Sequence, residues 1–179
     1  MKIKVIDKNK DKITLLIEEV ETPMINALRR ACMASVPTMA IEEVGFTKNS
    51  SALYDEIIAH RLGLIPLTTD YSYNEREKCK CKGAGCSRCQ VTLSLDKVGP
   101  GTVYASDLKT SDPKVKPVYP DMPIVYLDEG QELSFEAKAQ LGTGREHAKW
   151  SPGLAYHRFY PVIKVNNKKV GRGSKKTVD

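Results

Sequence analysis

The chain has 179 residues, of which 41% are hydrophobic and 28% are charged. This length is enough to bury a core in one domain or in two small ones. No apolar run approaches the roughly 20 residues that a membrane-spanning helix needs, and the first residues alternate lysine with aliphatic side chains, unlike an export signal. We therefore expect a globular, cytoplasmic protein without membrane contact.

The formal net charge of +6 is concentrated in two segments. Residues 168–179 include five basic side chains and one acidic one, and residues 75–89 include five basic and two acidic ones, so the rest of the chain is close to neutral. Binding to nucleic acid needs cations grouped on a folded surface and, for single strands, aromatic side chains that stack on bases. With aromatics at only 7%, we expect no direct contact with nucleic acid.

The first element in chain order is a predicted β-hairpin. Aliphatic and polar residues alternate with a period of two over 3–5 and again over 13–17, and the polar stretch 7–11 between them suits a turn. The same type of pattern predicts later strands at about 40–46, 91–95, 133–141 and 160–165.

A helix is predicted after the hairpin. Thr22 can cap its N-terminus and Pro23 suits its first turn, whereas Pro37 marks its end. Apolar residues recur along one side at three- and four-residue spacing, and Cys32 lies on that side, so we expect its thiol to be buried. A second, shorter helix is predicted over 53–62.

Two later segments match neither a helix nor a central strand. Four prolines between 113 and 123 predict an ordered surface loop over 111–121, because proline lacks the N–H that both elements need. The end of the chain, 171–179, is rich in glycine and lysine and is predicted to be a flexible basic tail.

Four of the five cysteines lie within eleven residues, with the spacing C-x-C-x4-C-x2-C. They are Cys79, Cys81, Cys86 and Cys89. Four thiolates on one short loop can surround a single tetrahedral zinc ion, and Gly83 and Gly85 permit the positive backbone angles of such a tight wrap. Since four cysteines leave no coordination position for water, we expect a structural zinc site and not a catalytic one.

Other uses of the four cysteines stay open on the sequence. An iron–sulfur cluster takes the same ligands, although zinc is the favoured cofactor. Two disulfides are disfavoured because cytosolic thiols stay reduced. The cations beside the cysteines can offset the negative charge of a metal–thiolate centre or bind phosphate, and we favour the first interpretation.

Three further stretches are specific enough to indicate a family. They are NALRRAC from Asn26, with its continuation to Val44, DEIIAHRLGLIPL from Asp55 and GREHAKWSP from Gly144. In this order they closely resemble the D-subunit family of archaeal RNA polymerase. That family is related to the third-largest subunit of eukaryotic RNA polymerase II and to the N-terminal domain of the bacterial α subunit, and the resemblance covers nearly all of residues 1 to 165.

The resemblance implies an α+β fold in two parts, like that of the α subunit. A dimerisation domain of sheet and helices, residues 1–40 plus 154–170, would be interrupted by a mostly β insert domain. The insert would span 41–153 and hold the cysteine loop at 79–89. Members of the family commonly continue beyond the last residue of this chain, so we expect the dimerisation domain to be incomplete at its C-terminus.

The resemblance also implies a function without catalysis. Members of the family pair with a smaller subunit, L, and this pair recruits the two large catalytic subunits for transcription, while the small subunits N and P join the same platform. The sequence contains no glycine-rich phosphate loop and no carboxylate triad for catalytic Mg2+. We therefore expect an assembly subunit of DNA-directed RNA polymerase without catalytic residues of its own. The alternative is a free-standing zinc-knuckle protein that binds nucleic acid.

Two groups of residues are predicted to contact partners. They are Asn26, Arg29 and Arg30 in the first helix, and His147, Lys149 and Trp150 near the end of the insert. In the family the arginine pair meets a large catalytic subunit, and a guanidinium can bind a carboxylate or carbonyl group in two places. The second group contains a tryptophan, which is enriched at interfaces, although a satisfied turn with a half-buried ring is an equal alternative.

Overall fold

The computed structural model describes residues 1–164, and these belong to two units. The larger unit comprises 27–155, and the smaller one comprises 1–26 together with the described residues 156–164. The main regular elements of the described range are antiparallel strands and two α-helices, so the fold is of the α+β class. Neither of these two helices is long and apolar enough to cross a membrane.

The smaller unit contains the predicted hairpin. Strand β1 (Lys2–Lys8) pairs antiparallel with β2 (Ile13–Glu18), and the N–H of Asn9 donates to the carbonyl of Lys12 across the turn. The prediction of a hairpin is therefore confirmed. All of β1 is exposed, including Ile3 at 55%, so the hairpin presents aliphatic side chains to solvent.

Helix α1 (Thr22–Ala34) follows the hairpin, as predicted, and the carbonyl of Glu21 accepts a hydrogen bond from the N–H of Met24. None of the helical residues is buried. Met24 and Leu28 are exposed on the apolar side, and Cys32 is exposed as well, so the prediction that this thiol is buried is wrong. An apolar stripe shows which side of a helix can be covered, but it does not show what covers it.

The larger unit holds the remaining elements. In chain order they are β3 (Thr38–Asn49), α2 (Asp55–Gly63), β4 (Gln90–Val98), β5 (Gly101–Tyr104), β6 (Lys109–Thr110), β7 (Pro123–Leu127) and β8 (Glu132–Gly142). Four strands form an antiparallel sheet in the order β3-β8-β4-β6, and β5 pairs with β7 in a separate two-stranded sheet. The strands predicted at 40–46, 91–95 and 133–141 and the second helix are confirmed, although each strand is longer than predicted.

One face of the four-stranded sheet carries the core. Strands β4 and β8 alternate between buried and accessible residues along most of their length, as period-two patterning requires. The fully buried large side chains include Ile41, Ile58, Leu62, Leu93, Ile124, Leu127 and Phe135. The opposite face is polar and accessible, with Glu136 and Lys138 exposed on β8. This polar face is the one that the cysteine loop meets.

The proline-rich segment 111–121 is a loop, as predicted, and an isolated antiparallel bridge joins Pro117 to Leu67. The strand predicted at 160–165 is wrong for the residues that the structure describes, because 156–164 form neither strand nor helix. Phe159 is 83% exposed. Alternation alone cannot make a strand without a neighbour to receive its hydrogen bonds. Residue 165 and the predicted tail 171–179 lie outside the described residues.

Candidate functional site

The four cysteine sulfurs lie within reach of a single ion. All four Sγ atoms are within 4.8 Å of one another, and the Cys79–Cys86, Cys81–Cys89 and Cys86–Cys89 separations are 3.6, 3.7 and 3.8 Å. Sulfurs placed tetrahedrally at about 2.3 Å from a zinc ion are about 3.8 Å apart. The separations therefore match a tetrahedral site, and they are too long for S–S bonds, which measure about 2.05 Å.

Two hydrogen-bonded turns bring the cysteine pairs together. The N–H of Lys82 donates to the carbonyl of Cys79 at 3.0 Å, and the N–H of Cys89 donates to the carbonyl of Cys86 at 2.9 Å. Gln90 follows directly and begins β4. The second pair of ligands is therefore attached to a strand of the core sheet.

The backbone between the two turns is left-handed. Lys82, Gly83 and Gly85 have φ values of 52, 84 and 90°. Glycine adopts this region without steric cost, so the sequence-based interpretation of the two glycines is confirmed. A Cβ at position 85 would lie 2.2 Å from the Oε1 atom of Gln90, so the end of that side chain would have to move.

The thiols differ in their acidity. A hydrogen bond from the N–H of Gly85 is the main cause that lowers the pKa of Cys81 to about 6. Burial raises the pKa of Cys89 to about 12. Since a metal binds thiolates, the low pKa of Cys81 favours ligation near neutral pH, whereas a metal that binds Cys89 must displace its proton to solvent.

The donor set fits a closed metal site. Cys79 and Cys89 are buried, and among the described residues no histidine or carboxylate joins the group of four sulfurs. Four soft thiolates suit zinc and occupy all four tetrahedral positions. With a metal bound, such a site would have no open position for a substrate and would crosslink the loop.

Arg76 is one of the cations beside the cysteines, and the sequence gives no sign that its role differs from that of the others. It begins a 3₁₀ turn (Arg76–Lys78) just before the first ligand. Its guanidinium hydrogen-bonds to the carbonyl of Gly83 and to the side chains of Glu43 and Gln140. No local pattern marks this arginine, because two of its partners lie 33 and 64 residues away along the chain.

The predicted contact residues of α1 are accessible to different degrees. Arg30 is exposed, while Asn26 and Arg29 are partly buried. The Nη1 atom of Arg29 donates to the Sδ atom of Met33 at 3.6 Å. Their role in binding a partner stays a prediction.

The second predicted group does not present all of its side chains to solvent. Trp150 is only 4% exposed, and its Nε1 donates to the carbonyl of Gln140 at 3.3 Å. Its ring lies against Gly142, where a Cβ would be 2.4 Å from the ring. The ring is therefore part of the interior. It packs beneath the neighbouring surface residues and is itself almost inaccessible to a partner.

The other two residues of this group surround the buried ring. Lys149 donates to the carbonyl of Ile41 at 3.0 Å, pairs with Glu42 and places its Nζ atom 4.5 Å from the centre of the Trp150 ring. His147 is exposed, and its Nδ1 accepts a hydrogen bond from the N–H of Lys149 at 3.1 Å. His147 is therefore the member of the group that faces solvent.

Replacing Trp150 with alanine is expected to lower the free energy of unfolding by about 3–5 kcal/mol, because the change leaves a cavity where the ring packs. Trp150→Phe keeps most of the apolar volume and is expected to cost less. Urea unfolding of the full chain measures both effects. An alanine variant that unfolds at the wild-type urea concentration would contradict the packing role of the ring.

The three stretches that indicate the family meet in the larger unit. The N–H of Arg145 donates to the carbonyl of Ala34 at 3.1 Å, and Lys149 reaches β3. His60 on α2 and His147 line the same open cavity of about 140 Å³. Residues separated by about ninety positions thus share one surface, which no local pattern in the sequence predicts.

Comparison with known proteins decides the family. Residues 40–154 match the family described as the RNA polymerase Rpb3/RpoA insert domain. The chain belongs to this family. The match includes the whole four-stranded sheet except its first two residues, together with the cysteine loop and the corner around Trp150.

Similar proteins of archaea are named DNA-directed RNA polymerase subunit Rpo3, and Rpo3 and the D protein of the archaeal enzyme are the same subunit under two names. The Pyrococcus horikoshii protein is 48% identical over 168 residues, which cover 94% of this chain and 63% of the relative. The Methanothermobacter thermautotrophicus protein is 47% identical over 171 residues (93% and 64%), and that of Pyrococcus furiosus is 46% identical over 166 residues (93% and 62%). The chain therefore spans somewhat less than two thirds of the length of these relatives.

Proposed function

We propose that this chain is a non-catalytic assembly subunit of DNA-directed RNA polymerase. The observation that carries the proposal is the family match over 40–154, joined to 46–48% identity with archaeal proteins named as polymerase subunits. In this function the chain and an L-type subunit form a cytoplasmic platform that recruits the two large catalytic subunits. The small subunits N and P bind the same platform.

The binding surface for the L-type subunit is proposed to lie on the smaller unit, which exposes apolar side chains. The β1–β2 hairpin exposes Ile3, Val5 and Ile13, and the segment 156–163 exposes large apolar side chains, including Phe159. Burying apolar surface is favourable by about 25 cal/mol per Å2, so a partner that covers this surface gains affinity from it. Exposed apolar surface of this extent is typical of a protein interface.

A contact with a large catalytic subunit is proposed for α1, through Arg29, Arg30 and Asn26. Arg30 is exposed, so its guanidinium is accessible to a carboxylate or a backbone carbonyl of a partner. The corner at 147–150 is the second proposed contact. There His147 is exposed. Lys149 stabilises this segment by its hydrogen bond to Ile41, and Trp150 stabilises it by its buried ring.

A structural zinc ion is proposed for the four cysteines. The sulfur separations of 3.6–3.8 Å suit one ion. A cluster of two or four irons spreads its thiolates farther apart than a single ion does, so an iron–sulfur cluster is the less favoured cofactor. Bound zinc would fix the loop 79–89 as a rigid part of the insert surface.

The nucleic-acid alternative is less favoured because part of the positive charge of the cysteine loop is already paired. Arg76 forms an ion pair with Glu43 at 2.6 Å, and Lys78 forms one with Glu75 at 2.6 Å. The remaining cations flank a centre that carries negative charge once a metal is bound. A phosphate-binding surface on this loop therefore has less charge left to use.

Mixing the purified chain with an archaeal L-type subunit tests this function. We expect a 1:1 complex by size-exclusion chromatography that persists in 1 M salt (roughly a 3 Å screening length), because an apolar interface is not screened by ions. Binding of the chain to DNA and RNA, measured in parallel, is expected to be weak. A chain that ignores the L-type subunit but binds nucleic acid with a steep salt dependence would support the alternative instead.

A further inference from the structure

Arg76 connects the cysteine loop to the sheet. Its Nε donates to the carbonyl of Gly83 at 2.9 Å, and its Nη1 donates to the Oε1 atoms of Glu43 at 2.6 Å and of Gln140 at 3.2 Å. Glu43 and Gln140 belong to the neighbouring strands β3 and β8. One guanidinium therefore joins the loop to both strands.

The loop atom that Arg76 binds lies in the part of the loop with left-handed backbone conformation. Gly83 stands in the four-residue stretch between Cys81 and Cys86, where three residues have positive φ. Backbone N–H groups of the same stretch, at Gly83 and Gly85, point to the thiol of Cys81. Fixing the carbonyl of Gly83 therefore limits the positions open to the sulfur of Cys81.

An arginine suits this task because its planar guanidinium carries several donors in fixed directions. A lysine ammonium offers the same charge, but it cannot hold the same fork geometry. Glu43 is anchored further by Lys138 at 3.6 Å, and the hydrogen bond from Arg76 is the main cause that lowers the pKa of Glu43. Within residues 1–164, no other side chain of 75–89 hydrogen-bonds to the four-stranded sheet.

We propose that Arg76 is a positioning residue for the metal site, which holds the stretch between Cys81 and Cys86 in its ligand-binding conformation by tying Gly83 to β3 and β8. The inference rests on the proposed binding of zinc by the cysteines. Removing the arginine leaves every ligand in place but frees the loop that carries them. Residues that orient metal ligands typically change metal affinity by about 10–100-fold when they are replaced.

The test measures zinc affinity of the full chain by competition with a chromophoric chelator. Arg76→Ala is expected to bind one zinc ion with about 10–100-fold lower affinity than the wild type. Arg88→Ala is the matched control, because Arg88 is an exposed arginine in the same loop with no side-chain hydrogen bond or ion pair among the described residues. Its zinc affinity is expected to fall much less than that of Arg76→Ala, because only a charge near the site is removed. Arg76→Lys restores the charge without the fork and is expected to resemble the alanine variant.

Hydrogen exchange of the zinc-loaded proteins gives a second readout. The amides of residues 81–86 are expected to exchange faster in Arg76→Ala and in Glu43→Ala than in the wild type, while those of β4 stay protected. Equal affinity and exchange in wild type and Arg76→Ala would overturn the inference. So would an equal loss of affinity in Arg88→Ala, since that loss would come from charge alone. A wild-type chain that binds no zinc would overturn the metal site itself together with this inference.

Discussion

Replacing Cys79 and Cys86 together with serine is expected to abolish zinc binding and to loosen residues 75–90. The two sulfurs lie 3.6 Å apart on opposite halves of the loop, so the double change removes one ligand from each half. A serine hydroxyl does not ionise near neutral pH and is a poor ligand for zinc. Structural zinc binding to small cysteine sites is worth about 10–16 kcal/mol, so its loss removes the main force that closes the loop.

Zinc content by mass spectrometry and hydrogen exchange of the loop amides measure this effect. Cys32→Ser is the matched control, because Cys32 is an exposed cysteine outside the loop and its change is expected to leave one zinc per chain. The core sheet is expected to stay folded in the double variant, since none of the described residues of the hydrophobic core cluster belongs to the loop 79–89. Unchanged zinc stoichiometry in the double variant would contradict the proposed site.

Replacing both Arg29 and Arg30 with alanine is expected to weaken recruitment of a large catalytic subunit by about 2 kcal/mol or more, which is the size typical of arginine hot spots. Both residues lie in the second half of α1, where none of the helical residues is buried, so the fold is expected to be kept. Binding of the L-type subunit is expected to continue, because the surface proposed for that subunit is the apolar surface of the smaller unit. Titration of the preformed pair with the purified large subunit measures the change.

A control for the charge removed by this double variant is Lys109→Ala with Lys116→Ala. Both lysines are exposed on the larger unit and form no ion pair among the described residues. This control is expected to recruit the large subunit like the wild type. Recruitment that is the same in the arginine variant and in the wild type would contradict the proposed contact on α1.

The sequence predicts the strands that have a neighbouring strand on each side and bury one face, because such strands show a clear alternation of apolar and polar residues. Strands β4 and β8 lie between other strands and bury one face, so their alternation was clear. Strands β5 and β7 were missed, because β5 has only four residues and β7 begins at Pro123, which suggested a loop. The strand at 160–165 and the burial of Cys32 were wrong for one reason: each needs a neighbour that a periodic pattern cannot supply.

The candidate site likewise contains residues that the sequence predicts and residues that only the folded structure reveals. The four cysteines are close in sequence, so a short loop is enough to bring their sulfurs close in space. The sequence therefore predicts the donor set, and the sulfur separations agree with it. The roles of Arg76 and Trp150 depend on partners from distant strands, which only the folded chain reveals. On the sequence, an interface contact and a satisfied turn are equal interpretations of Trp150, and the structure places its ring in the interior.

The most direct test of the proposed function is native mass spectrometry of RNA polymerase purified from cells that produce this chain. We expect one copy of the chain in the intact enzyme. On partial dissociation it should leave as a pair with the L-type subunit, and zinc should remain bound to it. Purified, active polymerase that lacks the chain altogether would contradict its role as an assembly subunit.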